Sequence, residues 1–514
     1  MSLLPFVLVT SVGAVMALLV RRNDRLALAI SIVSLIAAIV AALAIRPGQS
    51  VVIGGAGIGT TEYLRLFLVL GASVGLLLAV VGQAVGSHRD APAITLGVLA
   101  TSAFALSLPD ARLAVLAATA GGGFGALVTL VPLGGRTSAT VGTRVLRATV
   151  VAGTMAVAAT AWIGRDLSEL AAQPVVFGLA YLAFALAVAV RFGAIPAHGW
   201  AARLTDTVPE STLPLVTAWA PAAFAIVALA WADASIAPLL VDLGSVRLVV
   251  LLIAVASIVL ASVAAYIQDD IEHVVGYAII GDAGVIVLAI AALDPEAWAP
   301  ARTWILAFVV ARSAFAAWAA ATRSTFLTGR VAELRGWAIR SPVLGAVLAL
   351  VVLASVGVPG LAAFEARSAI VGLAIDGPLA ALVVLGTLSP LAYYGRLLWV
   401  GLGRPAVRPD HGPGGRSSWR PAVAPLDLTD VRRWLTRTWA DNLTVTATGG
   451  AALLAVLALA VSAGGFGAPA AAAGLPPTID ISRESFAPEE PVPPLESDAP
   501  SAPADGEPSQ APGP

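Results

Sequence analysis

Two stretches of the chain place charged side chains next to glycine and proline inside apolar sequence. VRFGAIPAHGWAARLTDTVPES, residues 190–211, combines two arginines, a histidine and two carboxylates with helix-breaking residues. ASVGVPGLAAFEARSAIV, residues 354–371, repeats the combination with a glutamate and an arginine. Glycine and proline interrupt helices, and broken backbone at membrane depth is tolerated where it is packed in protein or lines a water-filled cavity. Paired breaks of this kind are typical of transporters built from inverted repeats, with the ion route at the breaks.

Two further ionisable residues lie several positions inside apolar sequence, Asp282 in VVGYAIIGDAGVIVLAI and Arg312 in AFVVARSAFAAWAA. Charges at such depth are costly, so each should face the bundle interior, pair or line water; the two could pair with each other. Charged residues near the end of a span could instead snorkel to the interface. The candidate residues for a proton path or gate are Arg191, His198, Asp206, Asp282, Arg312, Glu365, Arg367 and Arg396. The candidate helix breaks are Gly193, Pro196, Gly357, Pro359 and Gly360.

The residue types that are missing restrict the chemistry further. The chain has no cysteine and no lysine, so disulfides, thiolate-ligated metals and Schiff bases are excluded. All 30 basic residues are arginine, which keeps its proton in proteins. With four histidines and no visible nucleophile–base pair, we expect no metal and no cofactor.

The elements that would carry these residues are membrane-spanning helices. Of the 514 residues, 58% are hydrophobic and 12% charged, which is far too few charges for a soluble surface. Apolar segments of span length recur along the chain, which predicts an all-α polytopic membrane protein of about fourteen helices. The predicted spans are 5–20, 26–45, 64–84, 94–108, 113–133, 148–163, 173–190, 212–231, 247–267, 274–293, 303–321, 341–357, 368–400 and 445–466.

The loops between these spans predict the topology. Arginines concentrate in the odd-numbered loops, which the positive-inside rule places in the cytoplasm, with both termini outside. We therefore divide the chain into a transmembrane bundle (1–402), a cytoplasmic loop with a basic amphipathic helix (403–444), a last transmembrane helix (445–466) and a disordered, acidic, proline-rich tail (467–514).

Four segments of the chain resemble motifs of a known family. RFGAIPAHGW (191–200) is similar to the motif Lys-x-Gly-x-x-Pro-Phe-His-x-Trp of the antiporter-like membrane subunits of respiratory complex I (NADH–quinone oxidoreductase subunits N, M and L) and of multisubunit cation/proton antiporters. Further segments of that family resemble IQDDIEHVVGYAIIGDAGVI (267–286), GVPGLAAFEARSAI (357–370) and, as in subunit N, LSPLAYYGRLLWV (388–400). The order and spacing agree over residues 60–400 or so.

The resemblance implies about fourteen helices in two inverted repeats, with broken helices in spans 7 and 12. It also implies proton translocation along a polar axis at mid-membrane, in the cell membrane of a bacterium. The partners would be protons, the lipid bilayer and other membrane subunits of a complex I-like or antiporter assembly, and no nucleic acid.

The sequence departs from the family where charge matters. Arg191, Arg312 and Arg367 stand where the family has lysines, and Asp282 stands where a histidine is common. Span 5 has no carboxylate, with Thr119 or Ala120 near the expected glutamate, and the predicted span 8 core LPLVTAWAPAAFAIVALAW has no ionisable group.

Three interpretations stay open on the sequence. Protons move by way of water, His198, Asp206, Asp282 and Glu365, with the arginines as fixed charges; or the chain is a transport-inactive structural subunit; or it is an unrelated secondary transporter of a small solute.

Overall fold

The computed structural model describes residues 2–53, 56–85, 90–108, 110–130, 136–163, 174–235, 244–375, 378–404, 442–462 and 513, and these ranges are mostly helical. The first nine helices are α1 Leu4–Leu19, α2 Asp24–Leu43, α3 Glu62–Ala84, α4 Ala91–Ala105, α5 Ala111–Leu130, α6 Arg136–Ile163, α7 Pro174–Phe192, α8 Gly199–Leu204 and α9 Ala220–Ser235. The others are α10 Gly244–Ile267, α11 Ile271–Ala292, α12 Trp298–Phe326, α13 Trp337–Arg340, α14 Pro342–Val356, α15 Ala362–Ala374, α16 Pro378–Thr387, α17 Pro390–Leu402 and α18 Asn442–Ser462.

Short elements join some of these helices. A π-helical turn, Leu215–Trp219, leads into α9, and 3₁₀ turns occupy Pro295–Ala297 and Val331–Leu334. The strands β1 Ser50–Ile53 and β2 Ala56–Gly59 form an antiparallel hairpin between α2 and α3. The amphipathic helix predicted within 403–444 and the tail predicted at 467–514 lie almost wholly outside the described residues.

Length and composition make this a multi-pass membrane protein. Nine of the described helices are long and apolar enough to cross a bilayer, namely α2, α3, α5, α6, α7, α10, α11, α12 and α18. Shorter apolar helices cover Leu4–Leu19, Ala91–Ala105, Leu215–Trp231 and Pro342–Val356. The peripheral helices α1, α2 and α10 expose large aliphatic side chains such as Leu19, Val33 and Leu252, which suits lipid contact.

The centre of the bundle is formed by α11 and α12. In the most apolar 18-residue stretch of each helix, 100% of the residues of α12 and 94% of those of α11 are buried, against 28% of those of α2. A helix surrounded by protein can carry polar groups that lipid would reject, because neighbouring helices supply their partners. The two central helices carry Asp282 and Arg312.

Both predicted helix breaks are present. The helix α7 ends at Phe192, and Gly193 follows with φ of +66°, a conformation that favours glycine. After the cis Ile195–Pro196 bond the chain resumes helical structure at Gly199. The amide of Ile195, freed by this interruption, donates to Oγ of Ser257 on α10 at 3.0 Å.

The second break separates α14 from α15. Gly357 and Gly360 have φ of +69° and +93°, and α15 begins at Ala362. The predicted span 368–400 corresponds to parts of three helices, since α15 ends at Ala374, α16 runs from Pro378 to Thr387 and α17 begins at Pro390.

Arg247 hydrogen-bonds to the C-terminal ends of two helices, α11 and α15. Nε of Arg247, on α10, donates to the carbonyl of Ala291 near the end of α11 at 2.8 Å, and its Nη2 donates to that of Ala374 at the end of α15 at 3.0 Å. A cation at helix C-termini also opposes the negative end of each helix dipole.

We predict that Gly284→Ala destabilises the protein by about 1–3 kcal/mol. A β-carbon on Gly284 would lie 2.9 Å from the carbonyl oxygen of Ala254 and 3.0 Å from the amide nitrogen of Ile258, so α10 and α11 would have to separate. Gly372→Ala is the matched control, since a β-carbon there meets nothing within 4 Å. Thermal unfolding of the two purified variants measures the difference; equal melting temperatures would contradict close packing at Gly284.

Candidate functional site

Asp282 and Arg312 form an ion pair between the two central helices. Nε of Arg312 lies 2.6 Å from Oδ2 of Asp282, and the arginine side chain is 0% exposed. Nη1 of Arg312 donates to the hydroxyl of Tyr394 on α17 at 2.8 Å. That hydroxyl donates in turn to Oγ of Ser355 on α14 at 3.1 Å. We call these four residues, with Arg367, the central network.

Arg367 joins the central network from across the second helix break. It is 2% exposed, and its Nη2 donates to the carbonyl of Val356, the last residue of α14, at 2.6 Å. The guanidinium lies 5.7 Å from the ring centre of Trp304. Nε1 of Trp304 donates to the backbone carbonyl of Asp282 at 3.3 Å. The central network therefore connects α11, α12, α14, α15 and α17 through polar contacts.

Arg191, at the end of α7, has a different environment. It is 1% exposed, and none of its three guanidinium nitrogens has a hydrogen-bond partner among the described residues. A β-carbon on Gly122 of α5 would lie 2.5 Å from Nη2 of Arg191 and 2.6 Å from Cγ2 of Thr149. The guanidinium thus fills the space that a side chain at position 122 would occupy. The hydroxyl of the neighbouring Thr149 also has no hydrogen-bond partner among the described residues.

Asp206 and His198 lie nearer one end of the bundle. Oδ1 of Asp206 lies 2.9 Å from Nε2 of His273 on α11, and Oδ2 lies 3.5 Å from Nη1 of Arg203. The half-buried ring of His198 is 6.4 Å from that of Tyr277, and its Nδ1 has no described hydrogen-bond partner.

A second set of charges lies beside Asp206. Nη1 of Arg323, on α12, is 3.0 Å from Oε1 of Glu210 and 2.6 Å from Oε2 of Glu272. Glu210 is 4% exposed, and with Asp282 it is one of the two buried carboxylates of the described residues. Asp206, Glu210, Glu272, His273 and Arg323 form what we call the end cluster.

The two other sequence-predicted residues lie apart from the central network. Glu365 is exposed, and its Oε1 accepts from the amide of Gly360 at 2.9 Å, which caps the second break. Nη1 of Arg396 donates to the carbonyls of Tyr266 and, at 2.6 Å, Gln268, at the end of α10. Both side chains thus satisfy backbone groups at helix ends.

Sequence reasoning missed several partners. It placed Thr119 or Ala120 near the glutamate that the family has in span 5, and the structure places Gly122 of the same helix against Arg191. Thr119 instead donates to the carbonyl of Val115 at 2.7 Å within its own helix. Tyr394 lay in a recognised motif, but its contact with Ser355 joins two helices and has no local sequence signal.

The arrangement can hold and move charge, but it shows no metal site. No group of three or more His, Asp or Glu within the described ranges is arranged to hold a metal ion. In the central network Asp282 can exchange a proton, and the hydroxyls of Tyr394 and Ser355 can both donate and accept, whereas arginine keeps its proton.

Comparisons with known proteins match the part of the chain that carries this site. Residues 152–391, which contain both Arg191 and the central ion pair, match the family described as NADH:quinone oxidoreductase/Mrp antiporter, transmembrane. NADH-quinone oxidoreductase subunit N of Halorhodospira halophila is 28% identical over 229 residues, 44% of this chain and 46% of the relative. Subunit N 1 of Streptomyces griseus is 29% identical over 271 residues, 51% of this chain and 54% of the relative. The matches span about half the length of these curated relatives.

Solved structures show the same fold over most of the chain. A chain of the Mrp complex from Dietzia sp. DQ12-45-1b superposes with a TM-score of 0.69 at 18% identity, covering 93% of this chain and 98% of that one. A chain of respiratory complex I from Thermus thermophilus gives 0.62 at 17% identity, covering 88% and 97%. The predicted resemblance to antiporter-like membrane subunits, with similarity to subunit N, is confirmed.

We predict that Asp282→Asn and Arg312→Met each destabilise the protein by about 3–5 kcal/mol, because each leaves a buried charge or polar group without its partner. The double variant should lose much less than the sum, since no uncompensated charge then remains. Equilibrium unfolding of the four proteins gives the coupling energy; additive losses would contradict a coupled pair.

We also predict that Gly122→Glu raises the melting temperature relative to Gly123→Glu. The glutamate at 122 would give the buried guanidinium of Arg191 a counter-charge. To admit it, the flexible side chain of Arg191 has to shift and Thr149, whose Cγ2 would lie 2.6 Å from the new β-carbon, has to turn to another rotamer. A β-carbon on Gly123 meets nothing within 4 Å, so a glutamate there gains no partner. If both variants melt alike, the environment assigned to Arg191 is wrong.

Proposed function

We propose that this chain is a proton-translocating subunit of a complex I-like (NADH–quinone oxidoreductase) or cation/proton antiporter assembly. The observation that supports this function best is the central network, in which a buried carboxylate, two hydroxyls and two arginines lie around the second helix break. Isolated ionic groups at this depth are expensive, and membrane proteins retain them mainly at ion routes.

In the proposed path Asp282 is the residue that takes up and releases the proton. Arg312 and Arg367 act as fixed positive charges that stabilise the carboxylate, because guanidinium does not hand on a proton. Tyr394 and Ser355 continue toward the break at Val356, and because Arg312 lies between Asp282 and Tyr394, water would have to carry the proton past the guanidinium to these hydroxyls. His198 and Asp206, with water, would supply protons from one side of the membrane, and Glu365 would connect the break to the other.

The proposed setting follows the family resemblance. We place the chain in the cell membrane of a bacterium, with about fourteen spans in two inverted repeats and both termini outside the cytoplasm. The two Gly/Pro breaks, one in each half of the chain, support the repeats. Other membrane subunits of the same assembly are the proposed partners, and the arginine-rich loops are the support for the orientation.

One observation favours a second function, that of a transport-inactive structural subunit. Arg191 is buried against a glycine, and none of the ion pairs of the described residues includes it. A cation with no acid partner has no nearby charge that could change its energy during a transport cycle. The half of the chain around α5 and α7 would then serve only as packing against neighbouring subunits.

We predict that Asp282→Asn reduces proton flux by about 100-fold or to background, because the amide keeps the shape of the side chain and loses the titrating proton site. The measurement is acidification of proteoliposomes that contain the intact assembly. Glu365→Gln should reduce flux much less, since the exposed amide oxygen can still accept from Gly360.

The outcomes separate the two functions. Unchanged flux in a folded Asp282→Asn assembly would remove Asp282 from the path. Flux that persists in full when the assembly carries both substitutions would favour the structural subunit, with transport by its neighbours.

A further inference from the structure

Two glutamates of the end cluster contact the same nitrogen atom. Oε1 of Glu210 lies 3.0 Å and Oε2 of Glu272 lies 2.6 Å from Nη1 of Arg323. Oxygens that contact one nitrogen are also close to each other, so two negative charges would meet beside a single positive one. The glutamates come from different parts of the chain, since Glu210 follows the first helix break and Glu272 lies in the first turn of α11.

The arginine is more exposed than the carboxylates that it contacts. The side chain of Glu210 is 5% exposed and that of Glu272 20%, whereas that of Arg323 is 49% exposed. Water weakens the attraction exerted by a half-exposed guanidinium, but the repulsion between two carboxylates that water barely reaches stays strong. Arg323 can therefore balance one of the two negative charges, and the other carboxylate is destabilised while it is ionised.

The groups around this pair add more negative charge than positive. Asp270, next to α11, acts on Glu272 through its charge, and Asp206 lies in the same cluster. On the positive side, Arg203 is 3.5 Å from Asp206 and is exposed, and His273 is 2.9 Å from the same carboxylate. Both of these contacts go to Asp206, so neither group neutralises the pair of glutamates.

Two other arginines at this end of the bundle are engaged elsewhere. Nη1 of Arg330 lies 3.8 Å from Oε1 of Glu333, and Nη2 of Arg396 lies 3.8 Å from Oδ1 of Asp269. Among the ion pairs of the described residues, Arg323 is the cation that contacts the two glutamates of the end cluster. A proton is then the positive charge that can balance the second carboxylate.

Backbone packing holds the three charged groups together. A β-carbon on Gly276 of α11 would lie 2.5 Å from Cγ2 of Thr205, so the segment that follows the first break packs directly on α11. The amide of Ile271 donates to the carbonyl of Gly329 at 2.9 Å, which joins the start of α11 to the chain after α12. The segments that carry the glutamates and Arg323 are therefore fixed to each other by contacts that do not depend on the charges.

We propose that Glu210 and Glu272 share one proton beside Arg323 near neutral pH, and that this proton supplies the proposed path. Carboxylates that share a site hold a proton between them, because ionising both brings two like charges together. The hydroxyl of Ser211, next to Glu210 in the chain, is buried and has no hydrogen-bond partner among the described residues, so it is available to bond to the carboxyl group. Sharing concerns proton binding alone, and only the supply step rests on the proposed function.

Infrared difference spectroscopy of the full chain in nanodiscs tests the sharing, because a protonated carboxyl group absorbs apart from a carboxylate. At about pH 7 the unsubstituted chain should show a protonated carboxyl that both Glu210→Gln and Glu272→Gln lose, since the remaining glutamate then has Arg323 to itself. Glutamine keeps the shape of the side chain and an oxygen for the guanidinium. Glu333→Gln is the matched control, an exposed glutamate beside an arginine, and should leave the signal unchanged.

Two spectroscopic results would overturn the shared proton. Spectra of the two glutamine variants that match that of the unsubstituted chain would show that the pair holds no proton. A signal that is lost in Glu210→Gln and kept in Glu272→Gln would show that burial alone protonates Glu210, without sharing.

Proton flux into proteoliposomes that contain the intact assembly tests the supply step. Both variants should lower the flux more at about pH 8 than at about pH 6, since a bound proton matters most when free protons are scarce. Unchanged flux in both, together with the loss in Asp282→Asn, would overturn the supply step and leave the proposed function standing. Unchanged flux in Asp282→Asn as well would contradict the proposed function and the supply step with it, while the infrared result still decides whether the proton is shared.

Discussion

The rest of this structure depends on one constraint, which is that backbone carbonyls freed at helix ends inside the bundle must find donors. Lipid offers none, so the protein has to supply them. Arg367 supplies one at the end of α14, and Arg247 bonds the ends of α11 and α15 together; Arg396 does the same at the exposed end of α10. Each uses the planar, multiply donating guanidinium, which can reach two acceptors in fixed geometry where an ammonium group is a single point charge. The arginines therefore provide hydrogen-bond donors that the ends of the broken helices require.

This use of arginine limits the chemistry of the central network. A permanently protonated side chain holds its position and charge while other groups titrate. In the proposed path through the network, proton uptake would be confined to Asp282, and the hydroxyls of Tyr394 and Ser355 would receive protons only by way of water, because Arg312 lies between them and the carboxylate. Arg312 is held on both sides, by the carboxylate and by the tyrosine hydroxyl. A path built in this way would depend on changes in hydration and in the carboxylate, with no movement of the cation.

The sequence was most informative where the signal is local. Gly193, Gly357 and Gly360 predicted the two breaks, because a positive φ or a missing side chain acts on the chain at that residue. Asp282 and Arg312 were recognised as buried, but whether they pair depends on the rotation of α11 against α12, which periodicity does not fix in helices apolar on all sides. For the same reason the sequence did not indicate that Gly122 lies against Arg191, and the capping role of Arg396, which reaches a different helix, had no signal at all.

The two breaks, so similar in sequence, end in opposite electrostatic situations. At the second, Asp282 and Arg312 balance each other, so removal of either would leave the other uncompensated, and Arg367 donates to the carbonyl of Val356. At the first, Arg191 is packed against Gly122 without an acid, at a position where an ion pair would need only one side chain more. A buried cation without a counter-ion destabilises the folded protein, and a single substitution of the arginine would remove that destabilisation. The first half of the bundle therefore carries a buried charge that its own described residues do not balance, and this is the point on which the two proposed functions differ.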